Sequence, residues 1–310
     1  MAAAERPLVP VIVGPTGVGK TAVAAALAAL QPITVISADA RQVYRGLDIG
    51  TAKPAAAILA RVPHLGIDLV DPGQRYSAGQ FARDGAGWLK LAQRDGRRAV
   101  VVGGTGFYVR ALAEGLFHEP PLDPAQRERM RAWTGALESG VLARWAARLD
   151  RAYRGGGRQR AARALEVALL TGRSLSWWQR EARASGVMRP WYIHLTLPRE
   201  ALRRRIAERV AGMLAAGLVD ETRGILARGV AADAAGFDAI GYREVAAMLA
   251  GGLPEAQLGE AIARTTSQYA KRQETWFRNQ LSGWRLDATP PPEELAAMIA
   301  AQWSTLTAEG

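Results

Sequence analysis

Gly14-Pro15-Thr16-Gly17-Val18-Gly19-Lys20-Thr21 constrains this chain more than any other stretch. It reads G-x-x-x-x-G-K-T, the spacing of a phosphate-cradling loop. The run before it, residues 8–13, is apolar and β-branched, and residues 21–30 after it are rich in Ala and Leu. Together they predict strand, glycine loop and helix, an order that aims backbone N–H groups and the positive end of a helix at an anion. Lys20 adds a full charge, and the Thr21 hydroxyl is placed to ligate Mg²⁺. The loop alone leaves open which phosphate it holds, and whether that phosphate is transferred or leaves.

A second β-branched run, residues 33–37, leads directly into Asp39-Ala40-Arg41-Gln42-Val43-Tyr44. A carboxylate just past a strand end, beside a phosphate loop, sits where open α/β sheets bind their ligands. A chemical role for Asp39 therefore competes with a capping or outer metal-ligand role. Residues 64–70 form another apolar stretch, and Phe81, Trp88, Leu89 and Ala92 recur at helical spacing. Residues 98–102 read as a buried strand ending in Gly103-Gly104-Thr105-Gly106, a turn that suits close approach to a ligand. Strands alternating with helices predict an α/β fold: a P-loop core with a mainly parallel sheet flanked by helices.

From residue 114 to 190 the pattern is helical and crowded with arginine, broken at Pro120-Pro121, Asp123-Pro124 and Gly155-Gly156-Gly157. This segment reads as an all-helical insertion domain between core segments 1–113 and 191–310. Strand character returns at Trp191, residues 199–281 are again helical, and the tail from Asp287 predicts a loop and a last amphipathic helix.

Forty Lys and Arg against 29 Asp and Glu give a net charge of +11, which favours a polyanionic partner such as nucleic acid. Only four of the forty are lysines, and Ala and Gly are abundant, so compositional bias of the genome is the competing explanation. Three basic stretches stand out: Arg127, Arg129 and Arg131; Gln159-Arg160-Ala161-Ala162-Arg163; and Arg264, Lys271 and Arg278, spaced to share one helix stripe, with Trp276 and Phe277 among them. Basic residues interleaved with aromatics suit phosphate contact and base stacking, although each stretch alone also fits a solvated helix face over core aromatics. Trp177-Trp178 reads as core. The chain has no cysteine, which removes disulfides, zinc–thiolate sites and thiol nucleophiles. His64, His118 and His194 lack metal-ligand spacing and read as structural. No leader pattern and no long apolar run is visible, so a soluble, cytoplasmic protein without membrane contact is expected.

The loop at 14–21 and the Asp39 run do not stand alone. With Asp48-Ile49-Gly50-Thr51-Ala52-Lys53-Pro54, Tyr76-Ser77-Ala78, Gly103-Gly104-Thr105-Gly106-Phe107-Tyr108, Arg163-Ala164-Leu165-Glu166-Val167, Ile240-Gly241-Tyr242-Arg243-Glu244 and Ala270-Lys271-Arg272-Gln273-Glu274-Thr275-Trp276-Phe277-Arg278, they resemble one family. That family is the tRNA dimethylallyltransferases, and the resemblance covers nearly the whole chain. It implies transfer of a dimethylallyl group from dimethylallyl diphosphate to N6 of the adenosine just 3′ of the anticodon, with Mg²⁺ and release of diphosphate. It also implies a helical insertion that grips the anticodon stem-loop, and a monomer is expected. On this resemblance Asp39 is the general base, and Lys20, Thr105 and Arg223 assist at the diphosphate held by residues 14–21. Gln42 would read the base edge. The implied tRNA contacts are Asp39, Ala40, Arg41, Gln42, Thr105, Arg127, Gln159, Arg160, Ala161, Ala162, Arg163, Arg243, Lys271, Arg272, Gln273, Trp276 and Arg278. Ala40 stands where the family usually has Ser, and Arg154-Gly155-Gly156-Gly157-Arg158 replaces a His-Pro-Asn-Asp-like segment. A P-loop small-molecule or nucleotide kinase, a prenyltransferase of free adenine nucleotides and a non-catalytic RNA-binding NTPase are the rival readings.

Overall fold

The computed structural model describes residues 6–117, 122–182 and 184–308; His118 and Pro120-Pro121 lie outside them. The chain divides into two compact units, residues 1–113 with 187–310, and residues 114–186.

In the larger unit β1 (Leu8–Val13), the loop and α1 (Lys20–Leu30) follow one another as the apolar run and glycines dictate. Next come β2 (Ile33–Ser37), the short α2 (Ala56–Arg61), β3 (His64–Leu65) and α3 (Ala78–Arg94). The apolar stretch over 64–70 thus yields a strand of only two residues, with an isolated bridge from Tyr44 to Val70. Tyr76-Ser77-Ala78 is the start of α3: Ser77 Oγ accepts from Gln80 N and Gln80 Oε1 from Ser77 N, a capping box. β4 (Arg98–Gly103) and α4 (Gly106–Glu114) complete the first segment.

The sheet runs β3-β2-β4-β1 and continues with β5 (Arg189–Thr196) and β6 (Trp284–Asp287), six strands in all. Every pairing among them is parallel. β5 begins in register with Leu8 at Arg189, so residues 187–190 join the larger unit rather than the helical one. The chain leaves β1 for β2, returns to β4 beside β1, and only then crosses to β5. Strand order therefore reverses at β1, and ligands of open parallel sheets bind at such a switch point, outside the carboxyl ends of the strands. The loops after β1, β2 and β4 carry Gly14–Thr21, Asp39 and Thr105 to that edge.

The core of this unit joins the sheet to α1 and the last helix: Ile12, Leu27, Val100, Ile193, Leu295, Ile299 and Trp303 are all fully buried. The buried Trp303 ring also receives the Arg98 guanidinium at 3.5 Å. The C-terminal tail is thus a structural layer of the fold.

The second unit contains α5 (Pro124–Ala136), α6 (Ser139–Leu149), α7 (Arg158–Thr171) and α8 (Leu175–Glu181) around Leu142, Ala146, Ala161, Ala164 and Leu165. Glu166 is buried and accepts from Arg127 at 2.7 Å and Arg163 at 2.9 Å. Such a buried carboxylate needs its cations, since an unpaired charge there is costly. Arg158 donates to the carbonyls of Thr134, Gly135 and Leu137, satisfying the orphan acceptors at the end of α5.

Three further helices of the larger unit follow β5: α9 (Arg199–Ala215), α10 (Leu218–Ala227) and α11 (Tyr242–Leu249). The long α12 (Leu258–Gln280) precedes β6, and α13 (Pro292–Ala308) ends the chain. Among the described residues no helix is long and apolar enough to cross a membrane.

Candidate active site

A cleft of about 760 Å³ opens at the carboxyl edge of the sheet, lined by the phosphate loop, Asp39, the 50–54 loop, α9, residues 238–243 and α12. Gly14 allows the loop to turn there. Its φ is +152°, and a Cβ would stand 2.6 Å from the Leu195 carbonyl oxygen, so no other residue fits. Lys20 Nζ donates to the Gly14 and Pro15 carbonyls at 2.8 and 2.9 Å. Burial lowers its pKa to about 8, against the Asp39 carboxylate, which raises it; Arg209 lowers it further.

Asp39 faces these cations. One of its oxygens accepts from Arg41 N at 2.8 Å, a local turn bond that fixes the carboxylate's direction. Its other oxygen accepts no hydrogen bond among the described residues. Thr105 holds the adjoining backbone: its N–H donates to the Ala38 carbonyl, and its Oγ1 accepts from Ala40 N at 2.9 Å. Alanine at position 40 therefore keeps its main-chain contact. Beside Thr105 lies the Tyr269 phenol, pushed up to about 12 by burial first and by Asp39 second.

Arg209 was not foreseen from the sequence. It lines the cleft, burial lowers the pKa of its guanidinium, and Asp39 acts the other way. It makes no hydrogen bond among the described residues, so its donors face the cleft unengaged. One turn earlier on α9, Arg205 donates to the Val18 and Ala288 carbonyls at 3.2 and 3.4 Å and braces the back of the loop. The expected assistant, Arg223, is placed elsewhere. It is exposed on α10, pairs with Asp220 three residues before it, and does not line the cleft.

Other expected residues divide similarly. Arg41 lines the cleft and pairs with Asp238 at 2.8 Å; Arg243 lies 3.6 Å from the same carboxylate. The Gln42 amide is buried and fully engaged: it accepts from Ser37 Oγ and donates to the Thr51 and Ala52 carbonyls, so it shapes the 51–52 turn instead of reading a base. Gln273 is buried too, bonded to Thr16 N and the Gly104 carbonyl. Arg272 lines the cleft, Lys271 is exposed, and Trp276 packs on Gly106. Phe277 is core, and exposed Arg278 borders a separate depression with Tyr192, His194 and Arg285. In the second unit Gln159 and Arg160 are exposed, Ala162, Arg127 and Arg163 half-buried, and Ala161 is a core side chain, unable to contact RNA.

The described residues contain no cluster of three or more His, Asp or Glu side chains that could hold a metal. Thr21 lines the cleft with Lys20 and Asp39, and its hydroxyl oxygen is a donor of the kind Mg²⁺ takes.

A buried anion cradle facing a carboxylate, at the switch point of a parallel sheet, agrees with what the chain resembles. A family model described as IPP transferase matches residues 42–280, and one described as isopentenyl transferase matches residues 7–68. The chain belongs to this family. Among its relatives is the tRNA dimethylallyltransferase of Geobacter metallireducens, 42% identical over 88% of this chain and 90% of the relative. The crystal structure of the tRNA isopentenylpyrophosphate transferase of Bacillus halodurans superposes with a TM-score of 0.70 at 32% identity, covering 97% of this chain and 98% of that one. A eukaryotic dimethylallyltransferase acting on tRNA superposes with a TM-score of 0.75 at 25% identity, covering 91% of this chain and 74% of the other. These IPP transferases share the P-loop core and the mainly parallel sheet.

Proposed function

We propose that this chain transfers the dimethylallyl group of dimethylallyl diphosphate to N6 of the adenosine just 3′ of the anticodon in tRNA and releases diphosphate. The observation that carries this reading is one cleft that joins Lys20 and the unengaged, half-buried Arg209 guanidinium to Asp39 and to an apolar lining. A kinase also pairs cations at its phosphates with a carboxylate base. An allylic transfer needs, besides these, an apolar seat for the prenyl tail, and Val210, Met213 and Ile262 line the same cleft.

As the allylic C–O bond breaks, charge builds on the diphosphate oxygens. The N–H groups of residues 17–21, the Lys20 ammonium and the Arg209 guanidinium meet it, preorganised by the fold. Thr21 is the residue that would hold Mg²⁺, which would supply further charge neutralisation at the leaving group. The N6 amine attacks the allylic carbon and forms the new C–N bond, while Asp39 takes its proton on the oxygen not tied to Arg41. Thr105 fixes the Asp39 turn through Ala40.

The lining of α9 matches the donor from head to tail. Arg205, Arg209 and Met213 recur at four-residue spacing, on one helix face spanning about 12 Å. Cations lie at the phosphate loop, and Val210 and Met213, with Ile262 of α12, line the region beyond. The hydrocarbon tail belongs in this apolar region.

For the RNA, Arg41, Arg243 and Arg272 line the cleft, while Lys271 and Trp276 stand on α12. The second unit offers Arg127, Gln159, Arg160 and Arg163 to the anticodon stem-loop. An adenosine in a single-stranded loop leaves its stack at lower cost than one in a duplex. The enzyme acts as a cytoplasmic monomer on this reading. The test is transfer of label. Incubation with dimethylallyl diphosphate labelled in the prenyl group moves label into tRNA, with N6-prenyladenosine in its nuclease digest. Label that stays on the donor, with γ-phosphate moving from ATP to a metabolite instead, would reject the reading.

A further inference from the structure

Gln273 stands in the block of α12 that the sequence assigns to RNA, between Arg272 and Trp276, yet it turns inward and is only 6% exposed. Its Oε1 accepts from Thr16 N at 2.9 Å, and its Nε2 donates to the Gly104 carbonyl at 2.9 Å. One amide thus joins the backbones of two loops. Gly104 permits the approach: a Cβ there would lie 2.2 Å from Gln273 Nε2.

These loops leave adjacent strands. β1 and β4 are paired up to Val13 and Gly103, and beyond that point no ladder bond holds the loops together. The first carries the anion cradle. The second carries Thr105, which sets Ala40 and hence Asp39. We propose that Gln273 is a positioning residue for the transfer: it fixes the cradle for the leaving group at one separation from the base that receives the amine proton. The inference rests on the reading under Proposed function. Displacement at the allylic carbon requires amine, carbon and leaving oxygen in line at close contact, and a misplacement of about 1 Å can lower the rate about 10²-fold. Gln273 touches neither reacting group, so its loss should slow the transfer step and leave both affinities in place.

A merely structural glutamine is distinguished by Gln273→Glu. Ionised, this side chain still accepts from Thr16 N but turns a second acceptor toward the Gly104 carbonyl. Protonated, its O–H donates to that carbonyl and both bonds return. The titratable and charged groups lining the same cleft are the carboxylates Asp39, Glu208 and Asp238, the His64 imidazole, the Tyr269 phenol, Lys20, Arg41, Arg205, Arg209, Arg243 and Arg272; all are common to wild type and variant, so the ratio of their rates isolates position 273. Single-turnover transfer from labelled dimethylallyl diphosphate to tRNA is measured from about pH 8 to about pH 5.5, a window that includes a buried carboxyl raised by its surroundings. The variant-to-wild-type ratio is expected to rise at least about fivefold as pH falls, with donor and tRNA Kd within about threefold of wild type. Gln273→Met, of similar volume and with neither bond, is expected to be about 10- to 100-fold slow at every pH. A flat ratio for Gln273→Glu, a Gln273→Met rate within about twofold of wild type, or a loss confined to either Kd overturns the inference. If Gln273→Met fails to fold, the glutamate ratio decides alone. Absence of transfer by the wild-type protein would instead overturn the proposed function.

Discussion

Replacing Arg209 by Gln removes an unengaged, half-buried cation from the cleft and keeps a hydrogen-bonding side chain in its place. Arg205 cannot substitute, because its nitrogens are committed to the Val18 and Ala288 carbonyls. Removing one preorganised donor from a developing anion costs about 3–4 kcal/mol, or about 10²- to 10³-fold in rate. Part of this is returned. Arg209 is one of the groups that lower the Lys20 pKa, so without it Lys20 holds its proton more firmly and meets the diphosphate as a fuller charge. The expected loss is therefore nearer about 10²-fold. The assay is rapid-quench single-turnover transfer at saturating donor and tRNA, with thermal unfolding as a check on the fold. Arg223→Gln is the control, and its exposed, intrahelical pairing predicts a rate within about twofold of wild type. A rate within about threefold of wild type for Arg209→Gln, or an equal fall for Arg223→Gln, would refute the assignment.

Two further outcomes follow from the same geometry. Lys20 is cationic below its pKa of about 8 and neutral above it, so donor KM should hold steady at lower pH and climb as pH rises through that value. A KM unchanged up to about pH 9.5 would remove Lys20 charge from donor binding. Met213→Ala should open the apolar region beyond Arg209 and raise the preference for ten-carbon geranyl diphosphate over the five-carbon donor about tenfold in competition, as a few methylenes permit; an unaltered preference would place the tail elsewhere.

The parallel core was legible because its strands are continuous apolar runs with glycine at their ends, as in Leu8–Val13 before Gly14 and Arg98–Gly103 before Gly104. Elements too short to show a period were not. α2 is six residues and β6 is four, and β6 is defined by its register with Ile193–Thr196, a partner remote in sequence. Asp39 could be read because its position relative to a strand end is a local fact. Arg209 could not, because α9 also carries Arg199, Arg203, Arg204 and Arg205, and only packing separates a guanidinium turned into the cleft from a solvated one. The signal present was the four-residue repeat Arg205, Arg209 and Met213, which mixes cation and apolar side chain on one face. Gln42 and Gln273 were assigned to RNA by chemistry that suits base edges equally well. Burial turned their amides to Thr51 and Ala52, and to Thr16 and Gly104.

The central claim is that Asp39 takes the proton from the adenosine amine while the cations hold the leaving diphosphate. Single-turnover transfer by Asp39→Asn, which keeps the size and the turn bond to Arg41 N but removes the base, tests it most directly. The account predicts a transfer step slower by about 10²- to 10⁴-fold, with tRNA and donor Kd near wild type. A transfer rate close to that of the wild-type enzyme would contradict it.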